Sequence, residues 1–393
     1  MGQSAGPGRL FIINIVINIM NFITIMVMNR LIITKIAIKN VMFIPIMVII
    51  GLAAMAGCLA PLPFDERAWQ KTVAAGRPAD LYAPHRDTKG RFFNPWLPQN
   101  RSSWEVARWF LSANSLPELD KSPSTAPAVQ NDGAYLKDPK DQASLTWVGH
   151  ATFAVNWDGQ VVVTDPFFSE RAWLVKRLVP PAFGPETIPP GAVVVISHNH
   201  YDHLDEDSVK ALAAKSRFVC PLGLGGLLRE MGAQKITELD WWQSIEIDGT
   251  VFTCLPAQHW SRRLGQGYNE SLWCAWLLSR GQRKVFYGGD SGYFIGFKEI
   301  GRRHPGIDVA LMPVGAYAPR WFMHYAHMDM AEVLTAFADL GAKAMVPTQW
   351  GVLKLGDEPA AWPAKALGQA MGGDPALKAR VKIMPVGGRL MLD

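Results

Sequence analysis

The chain has 393 residues, 49% of them hydrophobic, and a net charge of +5 with nine histidines and four cysteines. So apolar a composition excludes a disordered chain and allows a large core. No dense run of Lys and Arg is present, which excludes the usual electrostatic footprint of a nucleic-acid binder and predicts no nucleic-acid partner.

In chain order, the first feature is apolar. Leu10 to Met28 carries no charge, nor does the run from Asn40 to Gly57, and each has nearly the length of a membrane-spanning helix. Arg30, Lys35 and Lys39 lie between them, so the second run reads as the apolar part of an export signal behind a basic one. Met55-Ala56-Gly57-Cys58 resembles a bacterial lipobox, with Met55 in place of the more usual Leu. Residues 1–57 are therefore expected to be a signal or membrane segment. Cys58 becomes the lipidated first residue of an exported, membrane-associated lipoprotein, and a transmembrane helix ending near Cys58 is the alternative. The first run consists almost wholly of Ile, Asn, Met, Val and Phe, unlike the Ala-, Gly- and Trp-rich body. It reads either as translated upstream sequence ahead of a start at Met28 or Met42, or as a helix with Asn14, Asn18 and Asn21 on one polar seam.

Residues 58–140 are expected to be a loop-rich extension. Phe64 to Pro98 is rich in turn formers, Ser103 to Ser112 has helical spacing of Trp104, Ala107 and Phe110, and Leu116 to Lys140 is a Pro/Ser/Asp linker. The catalytic domain, 141–393, then begins. Short β runs start at Leu145, Thr152 and Gln160, and His150 falls between the first two. His150 is expected to brace the site by hydrogen bonding. The run Val161-Val162-Val163 leads to Asp165, either a partner orienting a ligand histidine or an ordinary strand-end turn before Pro166.

The run Val193-Val194-Val195-Ile196 leads to His198-Asn199-His200-Tyr201-Asp202-His203, three imidazoles and a carboxylate within six residues. Residues i and i+2 of extended backbone point the same way, so His198 and His200 can share one metal while the next turn swings Asp202 and His203 toward a second. Further candidates also follow β-like runs: His259 after Val251-Phe252-Thr253-Cys254-Leu255, and Asp290 after Lys284-Val285-Phe286-Tyr287 and two glycines. Val309-Ala310-Leu311-Met312 opens a longer loop with His324 and His327, of which His327 is the better ligand candidate and His324 a neighbour. Imidazole and carboxylate ligands without nearby cysteine suit two zinc ions best, with manganese or iron as substitutes. Cys220, Cys254 and Cys274 lie in apolar runs and are expected to be buried free thiols. Helical patterns run over Asp205–Ala214, Gly225–Met231, Phe294–Arg303, Met330–Leu340 and Ala361–Met371, and a closing strand is expected at Val381–Met384.

These residues resemble the metallo-β-lactamase fold and, within it, the N-acylphosphatidylethanolamine-hydrolysing phospholipase D family. The resemblance runs from about Arg91 to about Pro359. Beyond the histidine motif it rests on Arg91-Phe92-Phe93-Asn94-Pro95-Trp96, Trp147-Val148-Gly149-His150-Ala151-Thr152, Glu238-Leu239-Asp240-Trp241-Trp242, Pro256-Ala257-Gln258-His259-Trp260 and Gly315-Ala316-Tyr317-Ala318-Pro319-Arg320-Trp321-Phe322-Met323. It implies a four-layer αββα sandwich in the α/β class. It also implies His198, His200 and His259 on one zinc, Asp202, His203 and His327 on the other, and Asp290 bridging, with Asp202 and Asp290 as the catalytic carboxylates. A homo-oligomer is implied by the resemblance alone. The family has Thr after the bridging Asp and Val-Asp-Pro after the later His, where this chain has Ser291 and Met328-Asp329-Met330. At Thr348-Gln349-Trp350-Gly351 the family has His before Trp-Gly, whereas Gln349 cannot carry a proton at neutral pH.

The implied reaction is zinc-dependent hydrolysis of N-acylphosphatidylethanolamine-like lipids to N-acylethanolamine and phosphatidic acid. A hydroxide held between two metals would attack phosphorus. A phospholipid substrate calls for a membrane surface, and Phe167, Phe168, Trp173, Leu174, Leu178 and Phe183 with Lys176 and Arg177 form a stretch that reads either as lying on lipid or as a loop packed on the core. Arg262, Arg263 and Arg320 are the cations best placed to meet a phosphate. A lactonase or another hydrolase on the same metal site is the alternative. A non-catalytic lipoprotein scaffold is a third reading, against which stands the complete set of predicted ligands.

Overall fold

In a computed structural model, the described residues are 18–21, 62–99, 103–112, 115–116, 119, 125–138 and 142–392. The chain divides into two compact units, 1–60 and 61–393. Of the first unit only residues 18–21, within the first apolar run, are described, as helix, so the rest of that run, the second run, the lipobox-like segment and Cys58 lie outside the described residues. Among the described residues no helix is long and apolar enough to cross a membrane.

The second unit contains two mixed sheets. The first is built from β1 (Ser144–Gly149), β2 (Thr152–Trp157), β3 (Gln160–Thr164), β6 (Val193–Val195), β7 (Arg217–Pro221), β8 (Lys235–Leu239) and β15 (Arg389–Met391), with a small hairpin of β4 (Arg171–Ala172) and β5 (Val175–Lys176) beside it. Its order is β15-β1-β2-β3-β6-β7-β8, antiparallel from β15 to β3 and parallel from β3 to β8. The second holds β9 (Ser244–Ile247), β10 (Thr250–Leu255), β11 (Ala275–Arg280), β12 (Arg283–Tyr287), β13 (Val309–Pro313) and β14 (Ala344–Thr348), in the order β14-β13-β12-β11-β10-β9.

Side-chain alternation along the strands explains the layering. In β3, Val162 joins the large core between the sheets while Val161 and Val163 join a second core on the outer face. In β6, Val193 and Val195 point inward and Val194 outward. The outer core is covered by α3 (Glu206–Ala213) through Val209 and Leu212, and by α4 (Gly225–Glu230) through Leu228. The second sheet is covered by α5 (Gly296–Arg303), α7 (Met330–Leu340) and α8 (Trp362–Ala370) through Phe297, Val333, Phe337 and Leu367. Each such side chain contributes about 1.5–3 kcal/mol on burial. Two β layers between two α layers make the expected αββα sandwich. Helix ends are fixed by side chains: Asp205 accepts from Ser208 N to start α3, and Asp329 and Glu332 form a reciprocal box at the start of α7. The other α-helices described in this unit are α1 (Glu66–Ala74), α2 (Ser103–Leu111), α6 (Arg320–Met323) and α9 (Pro375–Arg380).

Two expectations about elements are corrected. The stretch from Phe64 to Pro98 contains α1, whose N-terminus is capped by Asp65 accepting from Ala68 N and which buries Trp69 and Val73. The closing strand is β15 on β1 rather than Val381–Met384. Val381 N is spent on Leu377 O at the end of α9, and Pro385 has no N–H for a ladder, so only one bridge, from Val381 to Met345, forms there. Cys220, Cys254 and Cys274 are buried free thiols, as expected.

The strand directions place the chemistry. β1, β3 and β6 run one way in the first sheet, and β10, β12, β13 and β14 share one direction in the second. The loops leaving their carboxyl ends carry His150, Asp165, the 198–203 loop, His259, Asp290, His327 and Gln349. Ligand sites in α/β folds form at such strand ends.

Candidate metal centre

The 198–203 loop turns just after β6. His203 N and Leu204 N both donate to His200 O, at 3.1 and 2.8 Å, which swings Asp202 and His203 away from the extended pair His198 and His200. The Arg263 guanidinium clamps the loop by donating to Leu204 O (2.6 Å) and Asn199 O (3.3 Å), and it lies 4.2 Å over the Tyr201 ring. Asp290 follows Gly288-Gly289 at the end of β12. Gly289 has φ 57, and a Cβ there would stand 2.7 Å from Ser197 Cβ, so only glycine lets this turn approach the histidine loop.

Four side chains converge as one group: His198, His200, His259 and Asp290. His200 Nδ1 is 2.8 Å from His198 Nε2 and 3.2 Å from His259 Nε2, while Asp290 Oδ2 is 3.6 and 3.5 Å from those two Nε2 atoms. Ligand atoms about 2.0–2.1 Å from one tetrahedral ion lie about 3.3 Å apart, so these separations match the edges of such a cage. The other oxygen, Asp290 Oδ1, faces His203 Nε2 at 3.2 Å. His203 belongs with Asp202 and His150 to a second group, in which Asp202 Oδ2 is 3.4 Å from His203 Nε2 and 3.0 Å from His150 Nε2. Asp290 thus faces both groups, one oxygen to each.

The outward nitrogens are largely tied down, as metal-binding imidazoles require. His198 Nδ1 meets Ser197 Oγ at 2.9 Å, His259 Nδ1 meets Ala326 O at 3.2 Å, and His203 Nδ1 meets Asp165 Oδ2 at 2.6 Å. Asp165 is fully buried and also accepts from Ser197 N, Ser197 Oγ and Tyr287 OH. Of its two readings, the orienting partner is the one its contacts match.

The electrostatics favour a cation. Burial, reinforced by neighbouring imidazoles, holds His198 and His259 well below the usual histidine range, and burial pushes His200 down to about 4. These rings are neutral at pH 7 and present lone pairs. Burial alone would depress His203 too, but Asp290, Asp202 and Asp165 outweigh it and raise it well above the ordinary value. Burial would raise Asp202 and Asp290, yet the positive charge on His203 keeps both well below the usual carboxylate range. A proton on His203 here does what a divalent ion would do. His200 Nε2, His203 Nε2 and Asp290 Oδ1 are buried without a hydrogen-bond partner, a costly state that coordination of His203 and Asp290 would relieve. The residues fit a divalent metal site.

Not every expected site residue joins these groups. His327 is in neither: its ring stands 5.4 Å from that of His259, on the side of the first group, and the expected pairing with Asp202 and His203 is not formed. The β13 loop passes behind His259, whose Nδ1 meets Ala326 O, so the next residue emerges on that side. His324 packs on Phe64 and Trp69, each at 4.5 Å between ring centroids. Arg263 is the loop clamp already described. Arg320 is engaged by Glu66 and Glu332 and donates to His327 O, so it holds the β13 loop. Arg262 is exposed, its backbone N–H bonded to Asn199 Oδ1. The Gln349 side chain donates to Gly289 O at 3.0 Å and so braces the turn before Asp290. Sequence reasoning missed Ser197 and Tyr287, the polar ends of the β6 and β12 runs. Their signal was a hydroxyl beside a ligand at the close of an apolar strand.

Beside His259 lies a cavity of about 230 Å³ lined by Phe93, Tyr268, Trp273 and Tyr325, and a second of about 180 Å³ between Trp69, Trp321 and Phe322 shares Tyr325 with it.

A family model described as a beta-lactamase superfamily domain matches residues 160–350. An uncharacterised protein of Mycobacterium tuberculosis is 36% identical over 277 residues, covering 67% of this chain and 71% of that protein. The N-acyl-phosphatidylethanolamine-hydrolyzing phospholipase D 1 of Caenorhabditis elegans is 35% identical over 229 residues, which cover 54% of this chain and 64% of that enzyme. Among solved structures, the isothiocyanate hydrolase from Delia radicum gut bacteria has a TM-score of 0.53 at 16% identity, over 63% of this chain and 98% of that one, a likeness of fold.

Proposed function

We propose that this chain, which belongs to the metallo-β-lactamase superfamily of metal-dependent hydrolases, is a zinc-dependent phosphodiesterase of phospholipase D type acting on N-acylphosphatidylethanolamine-like lipids. The observation that carries the reading is Asp290, whose two oxygens face two separate groups of ligands. Two divalent ions held in such a site would polarise a phosphoryl oxygen and activate a water at neutral pH. His198, His200 and His259 would hold one ion, Asp202 and His203 the other, with Asp290 between them. Asp165 fixes the ring of His203, and Gln349 and Ser197 fix the loops that bring the two halves together. Neutral imidazoles and ionised carboxylates suit zinc, with manganese or iron as substitutes.

Kinship with the Caenorhabditis elegans enzyme supports the lipid class, and the aromatic side of the cavity beside His259, formed by Phe93, Tyr268, Trp273 and Tyr325, supports an apolar chain next to the scissile group. The test is incubation of the zinc-loaded protein with N-acylphosphatidylethanolamine in mixed micelles, read by mass spectrometry. N-acylethanolamine and phosphatidic acid are expected. Turnover of an acyl-homoserine lactone with none of the phospholipid would overturn the reading in favour of a lactonase.

The rim of the site is suited to a lipid surface. Trp173 and Leu174, at the tip of the β4–β5 hairpin, are 65% and 70% exposed, and Leu264 is 88% exposed. Trp173 stacks on Tyr201 of the histidine loop at 5.6 Å, and Leu264 N donates to the same tyrosine's hydroxyl, so all three stand beside the ligands. The exposed cations Arg171, Lys176 and Arg262 flank them. Replacing the three apolar residues together (Trp173→Ala, Leu174→Ser, Leu264→Ser) is expected to weaken binding to anionic vesicles at least about tenfold. Hydrolysis of a soluble phosphodiester should stay within about twofold, as exposed substitutions cost little stability. Equal vesicle binding by variant and parent would remove this face from the proposal. Acylation at Cys58 would add a tether. Its test is a lipid mass increment on the membrane-extracted protein that Cys58→Ser abolishes.

A further inference from the structure

We infer that His150 is a direct ligand of the second cation, in the position that the family resemblance gives to His327. The inference rests on the two-cation reading above and deepens it.

The geometry begins at the end of β1. Gly149 and His150 both have positive φ, 139 and 53, and the His150 carbonyl is pinned by Trp147 Nε1 at 2.9 Å and Gln349 N at 3.2 Å. A histidine held with φ > 0 is uncommon and turns its side chain off the strand's regular alternation. Here the ring enters the site, 1% exposed, with its Nε2 3.0 Å from Asp202 Oδ2. His203 Nε2 reaches the same oxygen at 3.4 Å and Asp290 Oδ1 at 3.2 Å. All three separations are those of atoms sharing one ion at about 2.0–2.2 Å. They repeat the spacing of the first group, where three imidazoles and Asp290 Oδ2 are set 2.8 to 3.6 Å apart.

The other candidates for this position are engaged elsewhere. His327 lies by His259, and the Gln349 side-chain nitrogen donates to Gly289 O. Without His150 the second ion would have a single nitrogen, from His203, against three in the first group. With it the second site has two imidazoles and two carboxylates, a set typical of zinc and manganese hydrolases. A bracing hydrogen bond from His150 to Asp202 predicts the same contact in the metal-free protein but a different outcome on loading.

The full-length protein and its His150→Asn and His327→Asn variants would be saturated with zinc, passed through a desalting column and analysed for bound metal. Asparagine is chosen because it tolerates positive φ. The parent is expected to retain two equivalents, His150→Asn about one and His327→Asn two, the retained equivalent in His150→Asn reporting an intact first site. Independently of any variant, the anomalous signal in crystals of the zinc-loaded parent should place one ion about 2.0–2.1 Å from His150 Nε2. Two equivalents in His150→Asn, loss of both, or an ion beyond about 3 Å from that nitrogen overturns the inference. Fewer than two in the parent overturns the two-cation reading itself.

Discussion

Asp290→Asn is expected to lower kcat/KM on N-acylphosphatidylethanolamine by at least about a thousandfold, or about 4 kcal/mol of transition-state stabilisation. The substitution keeps the shape of the side chain and removes its charge together with one acceptor oxygen. In the parent one oxygen faces His198 and His259, at 3.6 and 3.5 Å, and the other faces His203 at 3.2 Å. An amide can offer only its carbonyl oxygen to one side and turns an N–H₂ toward the other, where an ion would meet a donor. Both halves of the site are then affected by one atom's exchange. Buried, and held well below the usual carboxylate range by His203 after burial is offset, the carboxylate is the charge that the two groups share. Steady-state kinetics and metal analysis on the same preparation check this. Activity within tenfold of the parent, with two ions bound, would mean that Asp290 does not link the groups.

Much of this site was legible in the sequence because metal ligation concentrates unusual residue types at strand ends. His198, His200, Asp202 and His203 are close in sequence, and an apolar run before each of His259 and Asp290 marks where a strand stops. The sandwich was legible from the resemblance, and its strands from short apolar, β-branched runs such as Val161-Val162-Val163. What escaped depends on which side of a loop a side chain emerges. Nothing local to His327 says that its loop passes behind His259, and nothing local to His150 says that its backbone turns at positive φ toward Asp202. Arg263 and Arg320 show the same limit. A cation on the same loop as a ligand candidate reads as a phosphate contact, yet the acceptors it meets in space are backbone carbonyls of Leu204 and Asn199 for one and carboxylates of Glu66 and Glu332 for the other. Helix α1 was hidden because its apolar face, Trp69 and Val73, packs on the distant Tyr325 and Ala326.

Asp165→Asn is expected to weaken the second cation selectively, by about 10–100-fold in affinity, while the first remains bound. Asp165 is fully buried and takes four donors: Ser197 N at 2.6 Å, the Ser197 hydroxyl, His203 Nδ1 at 2.6 Å and Tyr287 OH at 2.6 Å. Three of these converge on Oδ2. If asparagine puts its oxygen there, its amide N–H₂ confronts Ser197 N, donor against donor; if it puts its oxygen at the other position, His203, Tyr287 and Ser197 Oγ lose their common acceptor. Either way one or more buried donors are left unmatched, at about 1–3 kcal/mol each, so the metal-free variant should also melt several degrees lower. His203 suffers most, because its Nδ1–H···Oδ2 bond fixes which nitrogen faces Asp202 and Asp290. His259 has Ala326 O as a support independent of Asp165, and His198 still reaches the Ser197 hydroxyl, so the first group is disturbed less. Zinc titration by calorimetry against the parent checks this, since two binding events of separable affinity are expected to spread further apart. Equal weakening of both events would instead mean that Asp165 supports the fold as a whole, through Tyr287 and β6, rather than the ring of His203.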